Sequence, residues 1–240
     1  MEKLTPEQIT AAKSKGFLQN RNTTNFSGRI VVPGGVYTAE QLAQISECAK
    51  RFGNGKIAMT TRQSAEIVGI PYENIEPARE YINGLNSGIF FGGTGPKMRP
   101  ISACKGTTCV FGGCDTQGIA QKLHQIYFVD RLGETFPAKV KIAVGGCPNN
   151  CVKPDLNDIG IVAKRQKGET KYQIYVGGIW GRKTRVGTPV SKLIEEEEIL
   201  PMVDQILAWY AKNANPKERL GFLIERVGIE DLENALFSEK

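Results

Sequence analysis

The feature that most constrains this 240-residue chain is its cysteine spacing, beginning with Lys-Val-Lys-Ile-Ala-Val-Gly-Gly-Cys-Pro-Asn-Asn-Cys, residues 139–151. Val140, Ile142 and Val144 alternate with Lys139 and Lys141, which predicts a strand, and Gly145-Gly146 closes it in a turn. Cys147 and Cys151 follow, and glycines just before them let backbone approach whatever centre the sulfurs share. Upstream lies a second group, Cys104-Lys-Gly-Thr-Thr-Cys109-Val-Phe-Gly-Gly-Cys114. Two pairs make a four-thiolate site. Such spacing admits zinc as well as an iron–sulfur cluster. The glycine-rich, apolar surroundings favour the cluster, because amides freed in such turns can hydrogen-bond its sulfides.

Gly-Gly-Cys147-Pro-Asn149-Asn-Cys151, preceded by Lys139-x-Lys141 and the upstream Cys-x-Gly-Thr-x-Cys block, resembles the siroheme-dependent sulfite and nitrite reductase family, above all its small single-repeat anaerobic members. The resemblance implies a 4Fe–4S cluster held by Cys104, Cys109, Cys147 and Cys151, with Cys151 also the axial ligand of the siroheme iron. Gly145, Gly146, Asn149 and Arg99 are the accompanying cofactor-binding candidates. Larger members carry one residue more between the first two cysteines. Cys114 is also available, so Cys109 with Cys114, or Cys104 with Cys114, are alternative pairs. Cys104 and Cys109 bracket the matching Lys-Gly-Thr-Thr block, and the plainer reading of Cys114 is a packing thiol.

The fold class expected is α+β in three stretches: an N-terminal arm (1–25), a ferredoxin-like half-domain (26–88), and a 4Fe–4S and siroheme-binding domain (98–240). Thr5-Pro6 starts a helix, and Thr38 with Gln41 reads as a capping box opening another, with Leu42, Ile45 and Ala49 inward. Strands follow at 56–60 and 66–70, and Asn74 caps a helix to Leu85; strand–helix–strand–strand–helix is a ferredoxin-like order. Later, Asp115 or Thr116 caps a helix running to Phe128 with Ile119, Leu123 and Ile126 inward. Residues 157–162 and 171–176 are strands, Ser191–Lys212 a long helix opening on the solvated acidic run Glu195–Glu198, and Lys217–Arg226 a last helix before a frayed tail.

Four cations are catalytic candidates. Arg29 and Arg62 lie at strand ends, where a guanidinium offers a fixed fork of donors to an oxyanion; the plain alternative is pairing with a local acid such as Glu66. Lys139 and Lys141 would ordinarily be a solvated strand face, whereas the resemblance implies that they bind the anionic substrate and supply protons. The single histidine, His124, leaves no room for histidine-based metal binding, and Cys48 reads as core.

A net charge of +6 invites a nucleic-acid reading, but no run of five basic residues or nucleic-acid motif supports it, and a polycarboxylate cofactor suits the same surplus. No apolar run approaches the ~20 residues that span a bilayer. Without an export signal core, a cytoplasmic location is the expectation, and there thiols stay reduced. By resemblance, the activity is six-electron reduction of sulfite to sulfide, or of nitrite to ammonia. No flavin or nucleotide fingerprint is visible, so an external donor, a ferredoxin or a reductase subunit, is required. Larger members contain two such repeats, which implies a homodimer here. The rival reading is a non-catalytic iron–sulfur electron-transfer or siroheme-carrier protein.

Overall fold

The computed structural model describes residues 3–237, which fall into two units that divide between Gly95 and Pro96. Among the described residues no helix is long and apolar enough to cross a membrane.

The first unit opens with α1 (Pro6–Ser14), where Thr5 and Gln8 exchange the two bonds of a capping box. Next come β1 (Phe17–Gln19), β2 (Asn25–Val31), α2 (Ala39–Phe52), β3 (Ile57–Met59), β4 (Ala65–Pro71), α3 (Ile75–Gly84) and β5 (Phe90–Phe91). Its sheet is antiparallel in the order β1-β2-β4-β3, with β5 also on β2. Phe17, Phe26, Ile30, Ile45, Ile67, Ile70 and Ile82 are fully buried in one apolar cluster. Helices and sheet thus bury their stripes on each other, the main stabilising term of such a layer pair.

Three expectations change in this unit. The stretch expected as an arm over the body is, in its described part, built into this unit, because β1 pairs with β2 and Phe17 fills the core. Thr38 and Gln41 do form the capping box, but Leu42 stays 43% exposed: the cap, not packing, holds that first turn, and the buried stripe runs through Ile45, Cys48 and Ala49. Asn74 does not cap α3; its amide donates instead to the Phe52 carbonyl at 3.3 Å.

The second unit contains β6 (Ser102–Ala103), α4 (Thr116–His124), β7 (Ile142–Gly145), β8 (Ile159–Gln166), β9 (Glu169–Val176), β10 (Thr188–Pro189), α5 (Ile199–Asn213), α6 (Leu220–Val227) and α7 (Ile229–Phe237). Its sheet order is β10-β9-β8-β7-β6; β6, β7 and β8 are parallel, and the other two pairings antiparallel. α4 is the crossover between β6 and β7 and packs on both, while residues 146–158 carry the chain from β7 to β8.

β7 is shorter than the alternation predicted. Lys139 is exposed, Val140 and Ile142 buried, and Lys141 half-buried, so alternation holds to Ile142. After that Ala143, Val144 and Gly145 are all buried, as expected of a strand with parallel neighbours on both sides. The two lysines therefore precede the strand.

The α4 helix ends at His124 and widens into a π-helical turn, Gln125–Asp130, with an Arg131 N–H to Ile126 carbonyl bond of 2.8 Å. The extra residue in that turn shifts the inward face from Ile126 to Tyr127 and Phe128. The long helix expected from Ser191 starts at Ile199, because Ile194 exchanges backbone bonds with Tyr172. Nor is the acidic run merely solvated: Glu195 pairs with Lys171, and Glu196 with Lys122 at 2.9 Å and with the Tyr172 hydroxyl at 3.0 Å. The helix expected at 217–226 is α6, Leu220–Val227, and the tail continues as α7, with Leu232 buried and Asp231 accepting from the Trp209 indole at 2.9 Å.

Candidate metal centre

The parallel register sets the site. Ser102 and Ala103 lie opposite Ala143 and Val144, so β6 and β7 end at the same edge of the sheet. Cys104 follows β6 directly, and Cys147 comes two residues after β7. Both cysteine loops thus leave from the carboxyl ends of adjacent parallel strands, the place where open α/β sheets bind ligands.

Backbone contacts fasten the loops together. The Gly113 N–H donates to the Gly146 carbonyl at 2.9 Å, and the Gly146 N–H donates to Cys104 Sγ at 3.2 Å. Glycines let these loops pack closely, and a Cβ on Gly113 would lie 2.9 Å from the Gly146 carbonyl oxygen. A Cβ on Gly112 would lie 1.9 Å from the Gly106 carbonyl oxygen, and one on Gly146 would press within 3.1 Å of Thr116 Cγ2 and 3.4 Å of Cys104 Sγ. Thr116 and Gln117, at the start of α4, both donate to the Cys104 carbonyl at 2.8 Å, while Asp115 caps the helix through the Gly118 N–H.

The second loop is stapled by side chains. Asn150 and Lys153 adopt left-handed backbone, φ 53° and 50°, a conformation asparagine tolerates well. The Asn150 amide donates to Asp155 at 2.8 Å, and the Asn157 amide to the Lys153 carbonyl at 2.7 Å. Pro148, Asn149 and Cys151 are exposed, Cys104, Cys109 and Cys147 half-buried, and Gly145 and Gly146 buried. Cys114 is half-buried near Cys104 and the Tyr172 hydroxyl, and burial pushes its thiol up to about 11. Among the described residues no three cysteine, histidine, aspartate or glutamate side chains already form a metal-binding group.

The candidate cations fall in different places. Lys141 is anchored twice: its N–H donates to Asp158 Oδ2 at 2.8 Å and its Nζ to the Trp180 carbonyl at 3.2 Å. Asp158 is wholly buried and clamped by Arg219, whose Nε and Nη2 reach the carboxylate at 2.7–2.9 Å. Sequence reasoning missed this pair, since no local spacing links residue 158 to 219. Arg99 is half-buried, its N–H on the Val140 carbonyl. In the first unit, Arg62 occupies the β3–β4 turn, half-buried, with its N–H on Thr60 Oγ1 at 3.3 Å. Arg29 does pair across the sheet with Glu66, at 2.7 and 2.9 Å, and donates to the Gly93 carbonyl at 2.9 Å, so the local-acid alternative is what the geometry contains. His124 is buried against Phe128 with ring centroids 5.2 Å apart, and desolvation lowers its pKa to about 4.

An amide aimed at a cysteine sulfur, tightly packed glycines and two thiol-bearing loops on one sheet edge give an α+β domain with thiolate donors gathered at the carboxyl ends of its parallel strands. Residues 94–240 match the nitrite and sulphite reductase 4Fe–4S domain, and residues 18–85 the nitrite/sulfite reductase ferredoxin-like half domain. The chain belongs to the nitrite and sulphite reductase family, oxidoreductases whose cofactors are a 4Fe–4S cluster and siroheme. It is 28% identical to the assimilatory-type sulfite reductase of Nitratidesulfovibrio vulgaris over 92% of this chain and 97% of that protein. It is 32% identical to the nitrite reductase [NAD(P)H] of Emericella nidulans, over 93% of this chain but 20% of that protein. The crystal structure of dissimilatory sulfite reductase I shares the fold, with a TM-score of 0.78 at 20% identity, covering 90% of this chain and 69% of that one. The chain thus spans nearly all of one relative and only a fifth of another.

Proposed function

We propose that this chain catalyses the six-electron reduction of sulfite to sulfide, with nitrite to ammonia as the sibling reaction. In this reading Cys104, Cys109, Cys147 and Cys151 would hold the 4Fe–4S cluster, and Cys151 would also serve the siroheme. The observation that carries it is the union of the cysteine loops through the Gly113–Gly146 bond and the Gly146 N–H on Cys104 Sγ. When bound, the coupled cofactors supply the electrons and the iron that accepts the anion. Gly145, Gly146, Asn149 and Arg99 would line the cofactor. In the second unit Lys139 and Lys141 bind the oxyanion; in the first, Arg62 and those Arg29 donors not engaged by Glu66 and Gly93 are the cations suited to an oxyanion. The lysine Nζ groups hand protons to oxygens that leave as water. Lys141 suits this role because its backbone is tied to the buried Asp158 carboxylate, so its ammonium starts from a fixed point.

The electrons come from an external donor, the working unit is a homodimer in the cytoplasm, and N. vulgaris assimilatory-type sulfite reductase, matched along nearly its whole length, supports sulfite as substrate. Anaerobically purified protein should show the Soret and long-wavelength bands of siroheme, and reduce sulfite with reduced methyl viologen. Lys141→Ala should lower turnover by about 100-fold or more, within the range expected for losing a positioned proton donor. Protein that contains neither iron nor tetrapyrrole after anaerobic reconstitution would sink the proposal, and scattering that finds only monomer would remove the dimer.

A further inference from the structure

Beside the cysteine loops of the second unit lies a cleft of about 350 Å³, lined by Phe111, Cys147, Pro148, Lys164, Arg165 and Thr170 among others. Its rim carries an apolar tip: Val110 is 93% and Phe111 66% exposed, in the turn between Cys109 and Cys114. That turn is braced, with the Gly112 N–H on the Cys109 carbonyl at 2.8 Å and Thr170 Oγ1 donating to the Gly113 carbonyl at 3.2 Å. The opposite wall is the β8–β9 hairpin. Its Lys164, Arg165 and Lys167 make no ion pair among the described residues. The one acid at the hairpin turn, Glu169, is drawn to Lys171 at 3.5 Å, and Lys171 also pairs with Glu195. The wall therefore carries uncompensated positive charge next to an unpartnered apolar tip.

We propose that this surface docks an acidic, one-electron carrier protein, with Val110 and Phe111 as the apolar anchor and Lys164, Arg165 and Lys167 as the basic rim. This rests on the cysteine loops being the cluster site, since Cys147 lines the same cleft. A small anion would satisfy the cations but leave the protruding apolar pair in water; a protein face covers both. Uncompensated cations select an acidic partner and speed its encounter in a salt-dependent way. The carrier is the reductant, oxidised by one electron per encounter, so repeated docking and release are needed for each anion reduced. A wet, charge-steered surface with a small apolar centre suits such a transient contact.

The test uses the whole, as-isolated holoprotein with an acidic two-cluster ferredoxin as probe. Ferredoxin binding is measured by calorimetry, and sulfite turnover is driven in parallel by reduced ferredoxin and by reduced methyl viologen. Arg165→Glu combined with Lys167→Glu should weaken ferredoxin binding about tenfold or more at ~0.05 M salt, shrinking to about twofold at ~0.5 M as screening shortens the reach of charge. Phe111→Ser should weaken it at both salt concentrations. Siroheme absorbance and viologen-driven turnover should be unchanged in all variants. Equal ferredoxin binding by wild type and variants overturns the proposal, as does wild-type holoprotein that carries siroheme yet binds no ferredoxin. Loss of siroheme absorbance in the charge-reversed variant would assign the hairpin to the cofactor's carboxylates instead. Absence of both cofactors from wild type would remove the reading on which the proposal rests, a distinct failure.

Discussion

The two units solve the same packing problem differently. In the first, an antiparallel sheet lies against helices whose ends are fixed by local devices, such as the Thr5–Gln8 and Thr38–Gln41 capping boxes, and one candidate cation, Arg29, is held by its cross-strand acid Glu66. In the second, β6 and β7 run parallel, so their carboxyl ends open together into two loops that hold each other through glycine backbone and a cysteine sulfur. Antiparallel pairing closes a strand end with a turn. Parallel pairing leaves it free for chemistry, because the chain must cross over before it can return.

The difference predicts that substitutions in the cysteine loops of the second unit and the clamp beneath them disturb function and stability together, while those at the helix caps of the first disturb stability alone. The largest effect is expected of Cys147→Ser, which should abolish the iron–sulfur and siroheme absorbance of reconstituted protein; retention of both bands would break the contrast. Next is Arg219→Met, which strands the buried Asp158 carboxylate and should cost about 3–5 kcal/mol in urea unfolding. It should also lower viologen-driven turnover, through the backbone of Lys141.

His124 gives a pH-dependent effect. Its folded pKa is lowered from 6.5 to about 4 by desolvation, so the unfolded chain binds the extra proton first. Its contribution is complete above pH ~6.5 and is lost as pH falls towards ~4, on the order of 2 kcal/mol. Comparing His124→Gln with wild type at pH ~7.5 and ~4.5 should show a flatter dependence in the variant; equal slopes would refute the assignment. The smallest effect is expected in the first unit. Thr38→Ala removes the cap of α2 and should cost about 1 kcal/mol in unfolding while leaving the absorption spectrum intact.

What was legible in the sequence follows the range of the interaction. The Thr38–Gln41 capping box, the Thr5 cap of α1, the β2-to-α3 order of the first unit and the presence of strands at β8 and β9 were read from local pattern, although β8 runs on to Gln166 and β9 starts at Glu169. The length of β7, the π turn after α4 and the delayed start of α5 were not, because each depends on a distant partner: parallel neighbours on both sides of β7, the inward demand of Tyr127 and Phe128, and the Ile194–Tyr172 bridge. In the site, the cysteines and glycines were visible as motif. The Asn150–Asp155 staple lay inside the motif's reach, and a left-handed asparagine after Cys-Pro-Asn was a usable signal. The Asp158–Arg219 clamp offered none, since a single buried aspartate looks like any other until its fold partner is known.

By itself the sequence determined which donor atoms the chain can offer, two thiol groups in glycine-rich turns with basic residues nearby, because ligand chemistry is a property of residue types and short spacing. Tertiary structure alone decided that residues some forty positions apart share one sheet edge, and that a wholly buried carboxylate fixes the backbone of Lys141. Parallel register and buried charge pairing are set by contacts between segments far apart in the chain, and no local pattern encodes them.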